Sequence, residues 1–338
     1  PTLQPESNAN PDLKWEKKEE WNLGFDYGFF NERLSGSIDL YQRTTRDMVW
    51  EYNVPRPPYL YPTILANAGT MKNKGLEIRL SAIPVQTKNF QWVTTFNYST
   101  NSNEVVSLSN NQFRVESGYF YAGYLGNTIK QDTHIVKEGE QMGNFYGFKS
   151  IDVDENGKWI IQGKDGNPKP IDQQQQEDKM VLGNGLPKHF LSWDNTFTFK
   201  NFDLNLTMRG AFKYQILNTP RLYYEVPVSL AHGNLMATAY DPVFGKRPLN
   251  DHQELQYVSY YIENGDFWKI DNITIGYTLM LKDCFLKKVR VYATANNLCT
   301  ITGYSGIDPE VNTQGLDPGV DPLNRYPSTR SFTLGAMF

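Results

Sequence analysis

The sequence predicts an all-β protein, the wall of a transmembrane antiparallel β-barrel with long extracellular loops and short periplasmic turns. Three observations predict it. Apolar and polar residues alternate in strand-length runs, the connections between those runs alternate short and long, and the chain closes on an aromatic, Phe338, at the end of such a run. A strand sends successive side chains to opposite faces, so each run has one apolar face. Short turns at one end and long loops at the other are the pattern of membrane barrels. A soluble sandwich has no reason to gather its long loops at one end.

Residues 1–19 are polar, carry Pro5 and Pro11, and read as loop. Trp21, Leu23, Phe25, Tyr27 and Phe29 then alternate with Asn22, Gly24, Asp26 and Gly28. After the turn Asn31-Glu32-Arg33, Leu34, Gly36, Ile38 and Leu40 alternate with Ser35, Ser37, Asp39 and Tyr41, which makes a hairpin with one greasy face. Its second strand runs on to about Trp50. Residues 52–69, rich in Pro and Tyr, read as a long loop. Leu76, Ile78, Leu80 and Ala82 mark the next strand, and Phe90, Trp92, Thr94, Phe96 and Tyr98 the one after it. Residues 104–142 read as a second long connection.

Phe145–Val153 and Lys158–Gln162 flank the turn signal Asp154-Glu155-Asn156-Gly157 and read as a strand pair. Residues 163–187 are polar and low in complexity, with Gln173–Gln176 in a row. The clearest hairpin follows: Leu191, Trp193, Phe197 and Phe199 share a face with Asn195 as the polar exception, then Phe202, Leu204, Leu206 and Met208 alternate with Asp203, Asn205, Thr207 and Arg209. Residues 217–262 form a third long connection. Ile273, Ile275, Tyr277 and Leu279 mark a strand, Leu281–Lys288 a short link, and Val289, Val291, Ala293 and Ala295 its partner. After a fourth loop over 301–327, Phe332, Leu334, Ala336 and Phe338 alternate to the end.

That reading gives about eleven strands, an odd number. Bacterial single-chain barrels have even numbers, and an open sheet in lipid leaves unpaired backbone groups, each at several kcal/mol. The expectation is that this chain is part of a larger barrel. Its polar start, with no Met and no signal-peptide pattern, predicts a mature fragment or the later part of a longer protein.

Composition narrows the function. The net charge of −4 gives no reason to expect a nucleic-acid partner. No run of about 18 apolar residues exists, so no transmembrane helix is predicted, which leaves barrel strands untouched. Cys284 and Cys299 fall near opposite ends of one strand, too far apart for a disulfide, and are read as unpaired. His134, His189, His232 and His252 are scattered, without zinc-ligand spacing. No phosphate loop or nucleophile elbow occurs. The chain is therefore read as not an enzyme, with no cofactor and no metal. Asp152, Asp154 and Asn156 fit the start of a calcium loop, but the twelfth position is Gly163 rather than Glu, so they are read as a hairpin turn.

Several stretches, in order, resemble the SusC/RagA class of TonB-dependent transporters of the Bacteroidota outer membrane. They are NPDLKWE at 10–16 with LGFDYGFF at 23–30, NAGTMKNKGLEIRL at 67–80, LGNGLPK at 182–188, ENGDFWKIDNITIGY at 263–277, VRVYATANNL at 289–298, YSGIDPE at 304–310 and the terminal RSFTLGAMF. The resemblance implies that residues 1–338 are the C-terminal part, roughly half, of a 22-stranded barrel, with the plug domain and the N-terminal strands outside this sequence. It implies oligosaccharide uptake, less often peptide uptake, energy from the TonB complex through the plug, and a SusD-like surface lipoprotein as lid. It also implies that Phe332, Leu334 and Phe338 form the signal read by the barrel-insertion machinery. A segment resembling a calcium loop in many members reads KDGNPKPID at 164–172 here, with fewer acidic groups.

Sugar rings pack their C–H faces on aromatic rings while their hydroxyls take polar partners. Tyr59, Tyr61, Tyr119, Tyr121, Arg221, Tyr223 and Tyr224, all in outer loops, are the substrate-binding candidates. Trp21, Trp92 and Trp193 fall on outward faces and read as interface girdle residues. The remaining alternatives are a passive porin or adhesive barrel and, behind them, a soluble glycan-binding sandwich.

Overall fold

The structure, a computed structural model, describes residues 6–110, 113–126, 128–231, 233–281 and 285–338. Nine strands make one sheet: β1 (Lys17–Phe29), β2 (Leu34–Asn53), β3 (Thr63–Gln86), β4 (Phe90–Ser107), β5 (His189–Phe199), β6 (Phe202–Phe212), β7 (Phe267–Met280), β8 (Lys288–Thr302) and β9 (Ser331–Met337). They pair in chain order and always antiparallel, so the sheet is an up-and-down meander with β1 and β9 at its edges.

Register carries the alternation across the whole wall. Phe25 lies opposite Ile38, which lies opposite Ile78 and then Tyr98. Asp26, Ser37, Arg79, Asn97, Ser192 and Arg209 form the neighbouring rung, on the other face. The apolar face has no protein layer on it: Leu23, Phe25 and Leu334 are all largely exposed. Asn195, the polar exception on the outward face of β5, is covered instead. Its Oδ1 accepts from the Trp92 indole N–H at 3.0 Å, and Trp92 stacks on Phe197 at 5.7 Å. On the inner face Tyr41 lies flat on Gly75 and Tyr292 on Gly335, where a Cβ would fall within 2.6 Å of the ring. Such aromatic-on-glycine pairs fill the gap a missing side chain leaves between strands.

Two expectations are corrected. The wall has nine strands rather than eleven, because the pair at 145–162 is not part of it. Asn144–Phe148, Ser150–Val153 and Trp159–Gln162 are short strands of two separate small sheets. At four or five residues they fall well below the roughly 9–11 that cross hydrocarbon, and Asn144–Phe148 is buried on both faces. The loop drawn at 52–69 shrinks to 54–62, since residues 63–69 continue β3 against the top of β2. β3 thus has 24 residues, over twice the crossing length, and stands above the bilayer with Ile64, Ala66 and Ala68 buried.

All long connections leave from the end where β2, β4, β6 and β8 finish. They fold together as a cap. Its largest element is the four-stranded sheet Lys179–Asn184, Asn144–Phe148, Asp132–Lys137 and Tyr119–Tyr124. A three-stranded sheet joins Gln215–Asn218 to Ile262–Asn264 and, in parallel, to Val320–Asp321. The short helix α1 (Thr219–Tyr224) starts at Asn218, whose side chain accepts from the Arg221 N–H at 3.1 Å. The core beneath holds Phe145, Phe148, Trp159, Ile161, Leu217, Leu222, Tyr257 and Tyr261. One stretch that carries the family resemblance, LGNGLPK at 182–188, is a joint of this cap. Asn184 donates to Met142 O and Asn144 Oδ1, both at 2.8 Å, and a Cβ on Gly185 would fall 2.0 Å from Pro318 O.

Cys299 is a free cysteine on the outward side of β8. Cys284 and His232 lie outside the described residues.

Candidate functional site

The inner face of the wall is wet by composition. Arg290 on β8 reaches across β7 to Asp203 on β6, with Nε to Oδ1 at 3.0 Å. The bridge passes over Gly276, where a Cβ would sit 2.5 Å from the guanidinium and 2.6 Å from the carboxylate. Asp39, Glu77 and Arg79 also face inward, with Asp39 directly opposite Glu77. Together with Asn97, Ser99, Ser192 and Arg209 they line an open cavity of about 620 Å³ under the cap.

The 303–330 connection closes the top of that cavity as a strap. Lys269 on β7 is almost wholly buried and meets Asp308 at 3.4 Å and Glu310 more closely. Arg209 bonds Glu310 with both of its terminal nitrogens, and the bulge at Asp271 on β7 brings a second carboxylate to it. Arg325 donates to the Asp308 carbonyl at 2.6 Å, and Tyr214 donates to Pro309 O at 2.8 Å. Burial works to raise the Glu310 carboxyl, but the bonds from Arg209 and Lys269 outweigh it and hold it below the usual range. Asp308 is lowered in the same way, with Ser328 and the Glu310 N–H as donors. Breaking a buried pair of this kind from one side costs about 3–5 kcal/mol, because the remaining charge is stranded.

A second tie holds the strap from above. Buried His134 donates from Nε2 to Pro318 O at 2.9 Å, and its Nδ1 lies 2.7 Å from the Thr133 hydroxyl. Desolvation depresses this imidazole to about 4. The ring is therefore neutral, with the proton on Nε2 and the Thr133 hydroxyl donating to Nδ1.

The substrate candidates fall into separate environments. Tyr119 and Tyr121 have ring centroids 5.4 Å apart, and Tyr121 stacks on Tyr146 at 5.8 Å, so the three form a ladder on the cap sheet. Gln176 donates to the Tyr121 hydroxyl at 2.9 Å. Desolvation, helped by Tyr119, pushes that phenol up to about 12. Beside the ladder an open cavity of about 250 Å³ is lined by Gln131, Phe148, Gln174, Gln175, Gln176 and Lys179. The glutamine run that supplies it is held in place. Asp178, with its side chain 2 % exposed, accepts from the N–H groups of Lys164 and Gln175 and from Lys169 Nζ.

Tyr59 packs with Tyr52 and Ile64 at the top of β2 and β3, and the Tyr61 N–H is bonded by Asn8 Oδ1 at 3.1 Å. Arg221 is enclosed: it pairs with Glu225 at 2.6 Å and Glu263 at 2.8 Å and lies 4.9 Å over the Tyr260 ring. Tyr223 donates to Leu125 O at 2.5 Å, while Tyr224 is 40 % exposed. Of the seven candidates, Tyr119 and Tyr121 come into ring contact with each other. Phe332, Leu334 and Phe338 stand exposed along edge strand β9.

At the calcium candidate, Asp154 Oδ1 accepts from the N–H groups of Asn156 and Lys158, both at 2.8 Å, and Asp152 pairs with Lys246. Among the described residues no group of three or more His, Cys, Asp or Glu is placed to hold a metal ion. Tyr146, Gln131 and Gln174 were missed in the sequence. So was the strap's ion cluster, although Lys269, Asp271, Asp308 and Glu310 lie in two of the stretches that carry the resemblance, FWKID and GIDPE.

A meander with a bare apolar outer face, a polar inner face and a cap at one end defines the wall of an outer-membrane β-barrel. The family described as TonB dependent receptor-like, beta-barrel matches residues 1–298, and the chain belongs to it. It is 32% identical to the TonB-dependent receptor SusC of Bacteroides thetaiotaomicron over 96% of this chain and 32% of that protein. It is 29% identical to the TonB-dependent receptor P3 of Formosa agariphila over 97% of this chain and 34% of that one. The RagAB peptide importer in its "open-open" state aligns with a TM-score of 0.80 at 24% identity, over 98% of this chain and 35% of that chain. The chain spans about a third of the length of the curated relatives it matches. The SusC/RagA-class resemblance, the barrel fold and the outer-membrane location expected from the sequence are borne out.

Proposed function

We propose that residues 1–338 are the C-terminal wall and cap of an active outer-membrane importer. The observation that carries this is the polar inner face around the 620 Å³ cavity, roofed by a cap that is tied to the wall through buried ion pairs. In this reading the rest of the same protein completes the barrel beyond β1 and β9 and supplies the plug through which the TonB complex delivers energy. A SusD-like lipoprotein covers the outer mouth, where Leu230, Tyr240 and Tyr326 stand exposed on cap loops and offer apolar surface to a partner. The cargo is an oligosaccharide. The ladder of Tyr119, Tyr121 and Tyr146 offers ring faces for sugar C–H groups, and the neighbouring glutamines offer amides for hydroxyls.

Peptide cargo is the second reading, favoured by the peptide-importer descriptions of the RagAB structures, which share the fold at 24% identity. The test is uptake by cells in which this transporter is the sole route for a labelled oligosaccharide. Uptake that stops with a protonophore supports active import. Uptake that persists identifies a passive porin, and uptake of labelled peptide in place of sugar moves the cargo to the second reading.

A further inference from the structure

We propose that the outer, lipid-facing side of β3 carries a binding site for the phosphate-monoester headgroup of a membrane lipid, built on Lys72 and Lys74. The register between the bulges at Met71 and Ala82 is unbroken, so Lys72, Lys74, Leu76, Ile78 and Leu80 all point to the apolar face of the wall. Leu76 is the last apolar residue of that row, and Lys74 and Lys72 are the next two rungs towards the cap. Trp21 marks the level independently. It pairs with Gln42, which pairs with Lys74, so the girdle tryptophan and the first lysine share one rung. Tryptophan collects at the membrane–water interface, and a basic group on that rung sits at headgroup depth.

Both lysines are exposed, and neither ammonium has an ion-pair or hydrogen-bond partner among the described residues. Glu19, the acid at the β1 end of the Lys72 rung, is already paired at 3.2 Å with Arg46, two positions beyond Thr44 on β2. Beside the lysines is an open cavity of about 310 Å³ whose further lining includes Gln42, Ser102 and Gln141, all able to donate to phosphate oxygens. Two acids border it. Glu140 is neutralised by Lys137 at 2.7 Å. Glu104 lies opposite Lys72 without an ion pair within 4.0 Å, and it opposes an anion. The site thus has two free cations, neutral donors and one removable repulsion. A lipid is the occupant the geometry favours, because its acyl chains would lie on Leu76, Ile78 and Leu40 directly below.

The test uses the full-length protein in nanodiscs of phosphatidylcholine alone or with one-fifth phosphatidic acid, and native mass spectrometry of the lipid retained on release. Wild type is expected to retain phosphatidic acid over phosphatidylcholine. Lys72→Gln and Lys74→Gln each weaken the preference about fivefold, the effect of one lysine at an anionic surface. Glu104→Gln strengthens it. All three side chains are exposed, so folding is checked simply by heat-modifiable gel mobility. Equal retention in wild type and the double lysine variant overturns the proposal. So does a stabilisation by inorganic phosphate in detergent that matches the lipid's, since that marks a free-anion site.

Discussion

Leu23, Phe25 and Leu334 of the wall are 65%, 63% and 87% exposed, whereas Trp159, Phe145 and Leu217 of the cap are at 1% or less. The two regions draw on the same aromatic and aliphatic residues and use them in opposite solvents. The wall has backbone pairing, cross-strand side-chain pairs and a polar inner face, but no second layer over its apolar face. Its apolar burial has to come from lipid. The cap buries its own core and is folded for water. The ion pairs of Lys269 and Arg209 with Asp308 and Glu310 stitch one region to the other.

This contrast can be broken from either side. The largest effect is expected from Trp159→Ala, which empties the centre of the cap core at a cost of about 3–5 kcal/mol. Amide exchange should quicken throughout 119–184 while β5 to β8 stay protected. Ile275→Arg does the reverse. It puts a charge on the lipid face of β7 at a cost of about 2–4 kcal/mol near the bilayer midplane, and it should lower the yield of membrane-inserted barrel. If each variant disturbs both regions equally, wall and cap are one cooperative unit.

Lys269→Met cuts the stitch. It takes the ion pair from buried Asp308 and leaves Glu310 to Arg209 alone, at a cost of about 3–5 kcal/mol, and limited proteolysis should then open the 303–330 strap while the sheet survives. Acid acts on the same strap more gently. The folded His134 titrates near 4 and an unfolded histidine near 6.5, so in that window the unfolded state takes up the proton and the cap loses stability as pH falls. The full effect is up to about 3 kcal/mol. Glu310 and Asp308, both lowered, add their loss below about the ordinary carboxylate range. Exchange measured at pH 7, 5.5 and 4.5 should therefore speed up at 132–137 and 303–330 before it does in the wall. The smallest change is Gly276→Ala, whose methyl displaces the Asp203–Arg290 bridge and should cost about 1 kcal/mol, visible only as a small shift in thermal unfolding.

The wall was legible because a period of two is written into the sequence wherever one face meets lipid. Trp21 to Phe29 and Phe202 to Met208 could be placed on a face from residue type alone. The cap was not, and the reason is physical. Asn144–Phe148 is covered on both sides and so has no alternation to read, and the glutamine run at 173–176 looks like low-complexity loop until Asp178 pins it. Site residues suffered most. Arg221 has the chemistry of a sugar ligand, but Glu225 and Glu263 engage it, and only tertiary structure brings Glu263 near. Tyr146 completes the aromatic ladder from a different strand, with no spacing rule to link it to Tyr119 and Tyr121.

The most direct test of the account is the accessibility of single spin labels along β7, placed one at a time from Asn272 to Leu279 in a Cys299→Ser and Cys284→Ser background of the full-length protein in bilayers. Labels at 273, 275, 277 and 279 are expected to collide with oxygen, which concentrates in lipid, and labels at 272, 274, 276 and 278 with a water-soluble nickel complex. Loss of that two-residue alternation, or its reversal, would contradict a wall with lipid on one face and a wet lumen on the other.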